Sequence, residues 1–483
     1  METRHVDVLV VGAGISGIGA GYHLQARCPG KSFEILEARE NLGGTWDLFR
    51  YPGIRSDSDM FTFGYSFKPW TNPKAISDGE SIRSYLDETA REFHIAEHIR
   101  YRHRARRASW SSREALWTVE VERGPDREPV QYTCRFLYLC AGYFNYAHGY
   151  TPDFPGMERF KGRIVHPQHW TGDIDYEGKR VVVIGSGATA VTLVPVLSEK
   201  AAHVTMLQRS PTYMANRPAE DKLANVLRRL LPGKLAYSIS RLKFNLQQMF
   251  AFKLARTRPW LLKCYLMWGL RRDLGPDYDI ATHFTPRYDP WQERLCVVPD
   301  GDFFQAVRSG RAAIVTDHIS RFTEKGIALE SGIELEADLI VTATGLDLQM
   351  LGGLELSIDG QRTDVARHVH YKGMMFTGIP NMASCFGYTT ASWTLKADLA
   401  SEFLCRLLLH MDEMGARQCT PAPADPSMEL KPFVDFSSGY FARAADRLPK
   451  QGATRPWKLH QNYLLDIATL RFSRIDDGTM TFS

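Results

Sequence analysis

Three things are scarce in this 483-residue chain: paired cysteines, long apolar runs and net charge. Its eight cysteines are scattered with no Cys-x-x-Cys pair, which argues against a disulfide framework or a zinc cage and predicts a reduced, cytoplasmic setting. The most apolar helical stretch, residues 259–270, is broken by Lys263, so no window approaches the roughly 18 residues of a membrane span. Fifty-nine Lys and Arg against 55 Asp and Glu leave a formal charge of +4, which gives no reason to expect nucleic acid as a partner. Metal ligands are missing as a set. His166 with His169, and His368 with His370, are close pairs without a third ligand, so no metal is expected and His166 reads as structural or domain-coupling.

What is present is a repeated glycine turn. The apolar segment 6–20 follows Arg4 and His5 as a signal peptide's core would, but three glycines interrupt it. It reads instead as a strand, Val6 to Val11, entering Gly12-Ala13-Gly14-Ile15-Ser16-Gly17 and a helix through Arg27. Gly12 and Gly14 let backbone turn tightly and approach a pyrophosphate, and Gly17 lets the helix pack close to the strand. A second strand, Ser32 to Leu36, ends at Glu37, where a carboxylate can accept hydrogen bonds from ribose hydroxyls.

The pattern recurs at Arg180 to Ile184, followed by Gly185-Ser186-Gly187-Ala188-Thr189-Ala190-Val191 and a strand from His203 to Leu207 that leads to Gln208 and Arg209. Gly12 to Glu37 is 25 residues and Gly185 to Arg209 is 24, yet the residue in the ribose position changes sign. A carboxylate repels a 2'-phosphate, and an arginine binds it with a fork of donors, so the first site predicts FAD and the second NADPH.

Two buried strands ending in small residues, Phe136 to Asn145 and Leu339 to Leu346, bracket the second unit and read as crossings between domains. The length is too great for one core. The predicted fold is α/β, with two Rossmann-like dinucleotide-binding domains. Residues 1–141 and 340–483 form the FAD domain. Residues 142–214 and 291–339 form the NADPH domain, and residues 215–290 are a basic helical insertion in it.

Two further motifs narrow the chemistry. One is Phe160-x-Gly162-x-x-x-His166-x-x-x-Trp170, followed by Thr171; the other is Gly43-Gly44-Thr45-Trp46 with Tyr51-Pro52-Gly53 and Asp57. On these motifs the chain resembles the type I Baeyer-Villiger monooxygenases over essentially its whole length, departing where Thr171 replaces the family's Pro or Asp. The resemblance favours a site role for Trp46 and Trp170 over a core role. It implies an FAD- and NADPH-dependent enzyme that inserts one O2-derived oxygen beside a ketone carbonyl, through a C4a-peroxyflavin, to give an ester or lactone. Sulfide or thioamide oxidation is implied as a side activity.

The resemblance also implies site residues. Arg294 matches the catalytic arginine, with Glu293 standing where the family has Lys, and Asp57 would orient Arg294. Arg55 and Ser56 would touch NADPH, Ser16, Gly44, Thr45, Trp46, Asp47 and Leu48 would touch FAD, and the backbone of Ala105 would meet the adenine. Other classes stay open: an S- or N-oxygenating flavin monooxygenase and a redox-sensing FAD protein.

The small net charge is unevenly spread. Residues 221–272 hold twelve cations and one anion, a local +11, and the remaining residues hold 47 cations and 54 anions. Leucines and aromatics recur there at helical spacing. Two readings stand: a solvated basic face, and peripheral attachment to an anionic membrane surface.

Overall fold

The computed structural model describes residues 2–293, 295–434 and 439–483. The first sheet is built around β1 (Thr3–Val11), in which Val8, Leu9 and Val10 are fully buried, as a parallel strand covered on both faces requires. It leads through the first glycine turn into α1 (Ile15–Arg27) and then β2 (Phe33–Leu36), parallel to β1 with Val11 opposite Leu36. β3 (Ile99–Arg100) extends this edge. β4 (His103–Ser111), β5 (Leu116–Arg123) and β6 (Glu128–Leu139) form an antiparallel meander, and β6 also runs parallel to β1 on its other side.

The chain leaves this sheet through β7 (Phe144–Gly149) and enters a second, wholly parallel one. That sheet takes β8 (Arg163–Val165), then β9 (Arg180–Ile184), which turns into α2 (Ala188–Leu197) and returns as β10 (His203–Gln208). Three helices follow: α3 (Lys222–Leu230), α4 (Gly233–Thr257) and α5 (Pro259–Leu274). β11 (Ala312–Thr316) and β12 (Leu339–Thr342) complete the order β11-β10-β9-β12-β8. The return crossing, β13 (Leu346–Leu348), pairs antiparallel with β7. β14 (Met382–Ser384) then rejoins the first sheet beside β6, and α6 (Trp393–Met414) packs on α1. The fold is thus α/β with two Rossmann-like units, the second inserted in the first.

The helices of the basic segment form as their spacing predicts, but their cations divide. Arg241 is buried, its Nη1 donating to the carbonyls of Phe61 and Gly64 at 2.8 and 2.6 Å, with Nη2 3.7 Å from Asp398. Tyr237 donates to the Tyr65 carbonyl, and Arg228 to those of Thr71 and Asn72. The segment is therefore tied to the first unit as well as to the second, which a uniformly solvated basic face does not describe.

Arg241 is the strongest of these ties, because removing a buried guanidinium takes a donor from the Phe61 and Gly64 carbonyls and the nearby positive charge from Asp398. Arg241→Met is expected to cost about 3 kcal/mol or more, seen as a lowered Tm, while Lys234→Met on the exposed side of α4 leaves Tm nearly unchanged.

Candidate functional site

At each glycine turn two backbones come closer than any side chain permits. A Cβ on Gly17 would lie 1.8 Å from the Gly12 carbonyl oxygen, and one on Gly12, whose φ is +104°, would lie 2.7 Å from that of Cys140. The second turn repeats this: Gly185, at φ +128°, would meet the Ala343 carbonyl oxygen at 2.3 Å. Cys140 and Ala343 directly follow β6 and β12, so each crossing strand closes down on the glycine turn beside it. Neither α1 nor α2 has a side-chain cap or an acid in its first turn, which leaves both N-termini suited to an anion.

Over the first turn lies a cavity of about 630 Å³. Gly12, Gly14, Ser16, Glu37, Gly44, Thr45, Trp46 and Ala105 all line it. Glu37 is buried and binds the turn itself, Oε2 accepting from the Ala13 amide and Oε1 from that of Arg39, both at 2.9 Å. Burial raises its carboxyl pKa, opposed by these two amides and the Arg39 charge. A carboxylate still has lone pairs for ribose hydroxyls after two such bonds.

The region near residues 386–393 is expected from the sequence to help form the pocket, and Trp393 does line this cavity, whereas Arg39 and Tyr146 escaped the sequence reading. Trp393 donates from Nε1 to the Ser16 hydroxyl at 2.7 Å and stacks on Tyr143, 5.2 Å between centroids. Arg39 faces the cavity, held by the Asp47 carboxylate at 2.7 Å. Tyr146, on the outgoing crossing, places its hydroxyl beside Gly44, and burial pushes that phenol up to about 12. The aromatic run at residues 143–146 was the available signal.

Other expected contacts are placed elsewhere. Asp47 is buried under Arg39 and Arg50, and Leu48 leans on the second unit's core. Gly17 lies beneath the turn and not in the cavity wall. Tyr51 is part of the second unit's core, and a Cβ on Gly53 would lie 2.5 Å from Val196 of α2. Arg55 pairs with Asp302 of the second unit, and the Ser56 hydroxyl accepts from the Ser77 amide. Asp57 is exposed on the same loop. Arg294, its expected partner, lies outside the described residues.

At the second turn the Ser186 hydroxyl donates to the Ser210 carbonyl, and Gly187 faces open space where a ligand's backbone approach is unobstructed. Ala188, Thr189, Ala190 and Val191 form the first turn of α2. Gln208 is turned into the core, its amide donating to the His283 carbonyl and the Thr316 hydroxyl, both at 2.8 Å; the even position in the strand points inward, so this side chain does not face the turn. Arg209, the next residue, is exposed, and its charge reaches Glu293, whose carboxyl burial pushes up and Arg209 pulls down. Trp170 is also a correction: it is buried with Val181 and Val194 in the second unit's core, away from the cavity.

His166 joins the two crossings. Its Nδ1 accepts the Gln168 amide at 3.2 Å, so Nε2 carries the hydrogen and donates to the Gly345 carbonyl at 3.0 Å. Its ring fills the space beside Gly149, where a Cβ would come within 2.0 Å. Among the described residues, no three His, Cys, Asp or Glu side chains are grouped to hold a metal ion.

The fold defines a protein of the class built from two Rossmann-like dinucleotide-binding units. A family model described as flavin-binding monooxygenase-like matches residues 54–243, and one described as an NAD(P)-binding Rossmann-like domain matches residues 10–77. The FAD-containing monooxygenase EthA of Mycolicibacterium smegmatis is 52% identical over 482 residues, spanning 100% of this chain and 98% of its own. An oxidised steroid monooxygenase bound to NADP shares the fold over 99% of both chains, at 21% identity and a TM-score of 0.76. The OTEMO complex with FAD and NADP does so over 87% of each, at 22% identity and 0.71. This chain belongs to the flavin-binding monooxygenase family.

Burial holds the His166 pKa below the ordinary value of about 6.5, so on acidification the unfolded chain takes the proton first. Stability present at neutral pH is therefore lost as pH falls below about 6.5, until the native pKa is reached. His166→Gln is expected to show a shallower decline of Tm between neutral and mildly acidic pH. His283, His370 and His460, also depressed by burial, contribute equally to both proteins, so the difference in slope reports His166 alone.

Proposed function

We propose that this protein is an FAD- and NADPH-dependent monooxygenase of the Baeyer-Villiger type, converting a ketone to an ester or lactone. The observation that carries the reading is the pair of glycine turns followed by side chains of opposite sign, a buried Glu37 at the first and an exposed Arg209 at the second. The uncapped helices and open turns suit the pyrophosphates of FAD and NADPH. A relative named for FAD and solved structures that hold NADP support the same assignment. Bound there, FAD would supply acceptance of hydride from NADPH and activation of O2.

The protein's part is binding, orientation and exclusion of water. Glu37 would hold the FAD ribose, and Gly12, Gly14 and Gly44 would let backbone reach the pyrophosphate. Tyr143 and Trp393 wall the cavity on the side of residues 386–393, where a second cavity of about 500 Å³ begins at Thr390 and Ala391. That chamber, lined by Met249, Phe250, Phe252 and Tyr463, suits an apolar substrate. Arg294 would stabilise the negative charge that develops on the carbonyl oxygen after attack, with Asp57 orienting it.

With a ketone present, Arg294→Ala is expected to keep flavin reduction by NADPH while losing at least about a hundredfold of the ester, scored by product mass. Unchanged ester yield would remove the assignment, and thioether oxidation without any ester from the wild type would favour the sulfur-oxygenating reading.

Arg209→Ala should raise KM for NADPH about tenfold and leave that for NADH nearly unchanged. Glu293, a carboxylate within reach of the same arginine, opposes a 2'-phosphate, so Glu293→Lys should lower KM for NADPH and widen the preference over NADH. Equal shifts for both coenzymes in either variant would show that the site is misread.

A further inference from the structure

The outer faces of α3, α4 and α5 are apolar where a solvated helix is polar. Twelve of the nineteen large apolar side chains exposed among the described residues fall between Leu223 and Trp268. On α4 they are Leu235, Ile239, Leu242, Leu246 and Phe250, three or four residues apart and so on one side. The side turned to the protein buries Ser240, Arg241 and Asn245 beside Ala236, Tyr237 and Ala255, so this helix carries apolar side chains on its outer side as well as its inner one. α5 buries Leu262, Leu266 and Leu270 and exposes Trp260, Tyr265 and Trp268 between them. Scattered exposed leucines are ordinary, but stripes of them on neighbouring helices mark a contact surface.

Charge selects the occupant. Exposed cations stand among the stripes, including Lys234, Arg258 and Arg271, and Arg272 lies over the Trp268 ring at 5.3 Å. The anions of these helices and their cap are paired, Asp221 with Lys243 and Asp273 with Arg272. A second copy docked on this face would set like charge against like. An anionic lipid surface complements it, and tryptophan and tyrosine suit the headgroup boundary. None of the described helices is long and apolar enough to cross a membrane, so the contact is with the surface.

We propose that α3, α4 and α5 seat this protein on an anionic lipid bilayer, with the apolar stripes entering the headgroup boundary and the cations meeting lipid phosphates. Leu246 and Phe250 belong both to this face and to the lining of the second cavity, which Thr390 and Ala391 also line, close in sequence to Trp393 of the first cavity. An apolar ketone dissolved in the bilayer then has a route to the cofactor cavity; this corollary rests on the function proposed above, and the surface contact does not.

The test is cosedimentation of the full-length FAD-loaded protein with phosphatidylcholine vesicles, with and without phosphatidylglycerol, at low and high salt. Expected are pelleting only with phosphatidylglycerol and release by salt. Pelleting should fall about tenfold when Leu235, Leu242, Trp260 and Trp268 are changed together to Ser, with vesicle-free NADPH oxidation unchanged. Lys234→Glu combined with Arg258→Glu should weaken binding in the same direction without touching the apolar stripes. Absence of pelleting at low salt, or equal pelleting of both variants and the wild type, overturns the proposal. So does a concentration-dependent dimer that the serine variant abolishes, because that outcome gives the face to a second copy. The readout is binding, so its failure leaves the enzymatic reading standing.

Discussion

The structure depends on four places where backbone passes backbone without a side chain between: Gly17 over Gly12, Gly12 against Cys140, Gly185 against Ala343, and Gly44 against Gly14, where a Cβ would come within 3.1 Å. Each contact brings a strand end, a turn and a helix N-terminus to one point. That convergence is what makes a cavity open at the carboxyl ends of parallel strands, with peptide dipoles aimed into it. A methyl group at Gly12, Gly17 or Gly185 would push the crossing strand or the helix off the turn, and the cavity walls would go with it.

The second organising feature is the seam between the two units. β7 and β13 pair where the chain leaves and returns, and His166 fastens them by filling the gap at Gly149 and bonding Gly345. The loop from Thr45 to Asp57 crosses the seam the other way. It begins in the cofactor cavity at Trp46, enters the second unit's core at Tyr51, packs Gly53 on α2 and pairs Arg55 with Asp302. Both sequence fingerprints therefore carry residues whose work is to hold one unit against the other, and a substitution in them changes domain geometry before it changes chemistry.

Electrostatics sorts the surfaces that remain. On the proposed reading, a buried carboxylate at the first ribose position and an exposed guanidinium at the second would discriminate between coenzymes by sign, and Glu293 would moderate the second. The basic segment divides in the same way. Arg241, Arg228, Lys243 and Arg272 have internal partners, and Lys234, Arg258 and Arg271 are exposed beside the apolar stripes.

The strand, turn, helix and strand at both glycine turns were legible in the sequence, because each rests on local spacing that recurs within about 25 residues. The helical character of residues 222–274 was legible for the same reason. What only the tertiary structure decided is which face of each element looks where. Gln208 and Trp170 sit in site-like positions along the chain yet turn into the core. Tyr143 and Tyr146 meet Trp393 at the cavity because the outgoing crossing and α6 fold over the first turn. Local spacing determines hydrogen-bonded elements and turns; side-chain partners separated by hundreds of residues are set by packing, which no local pattern records.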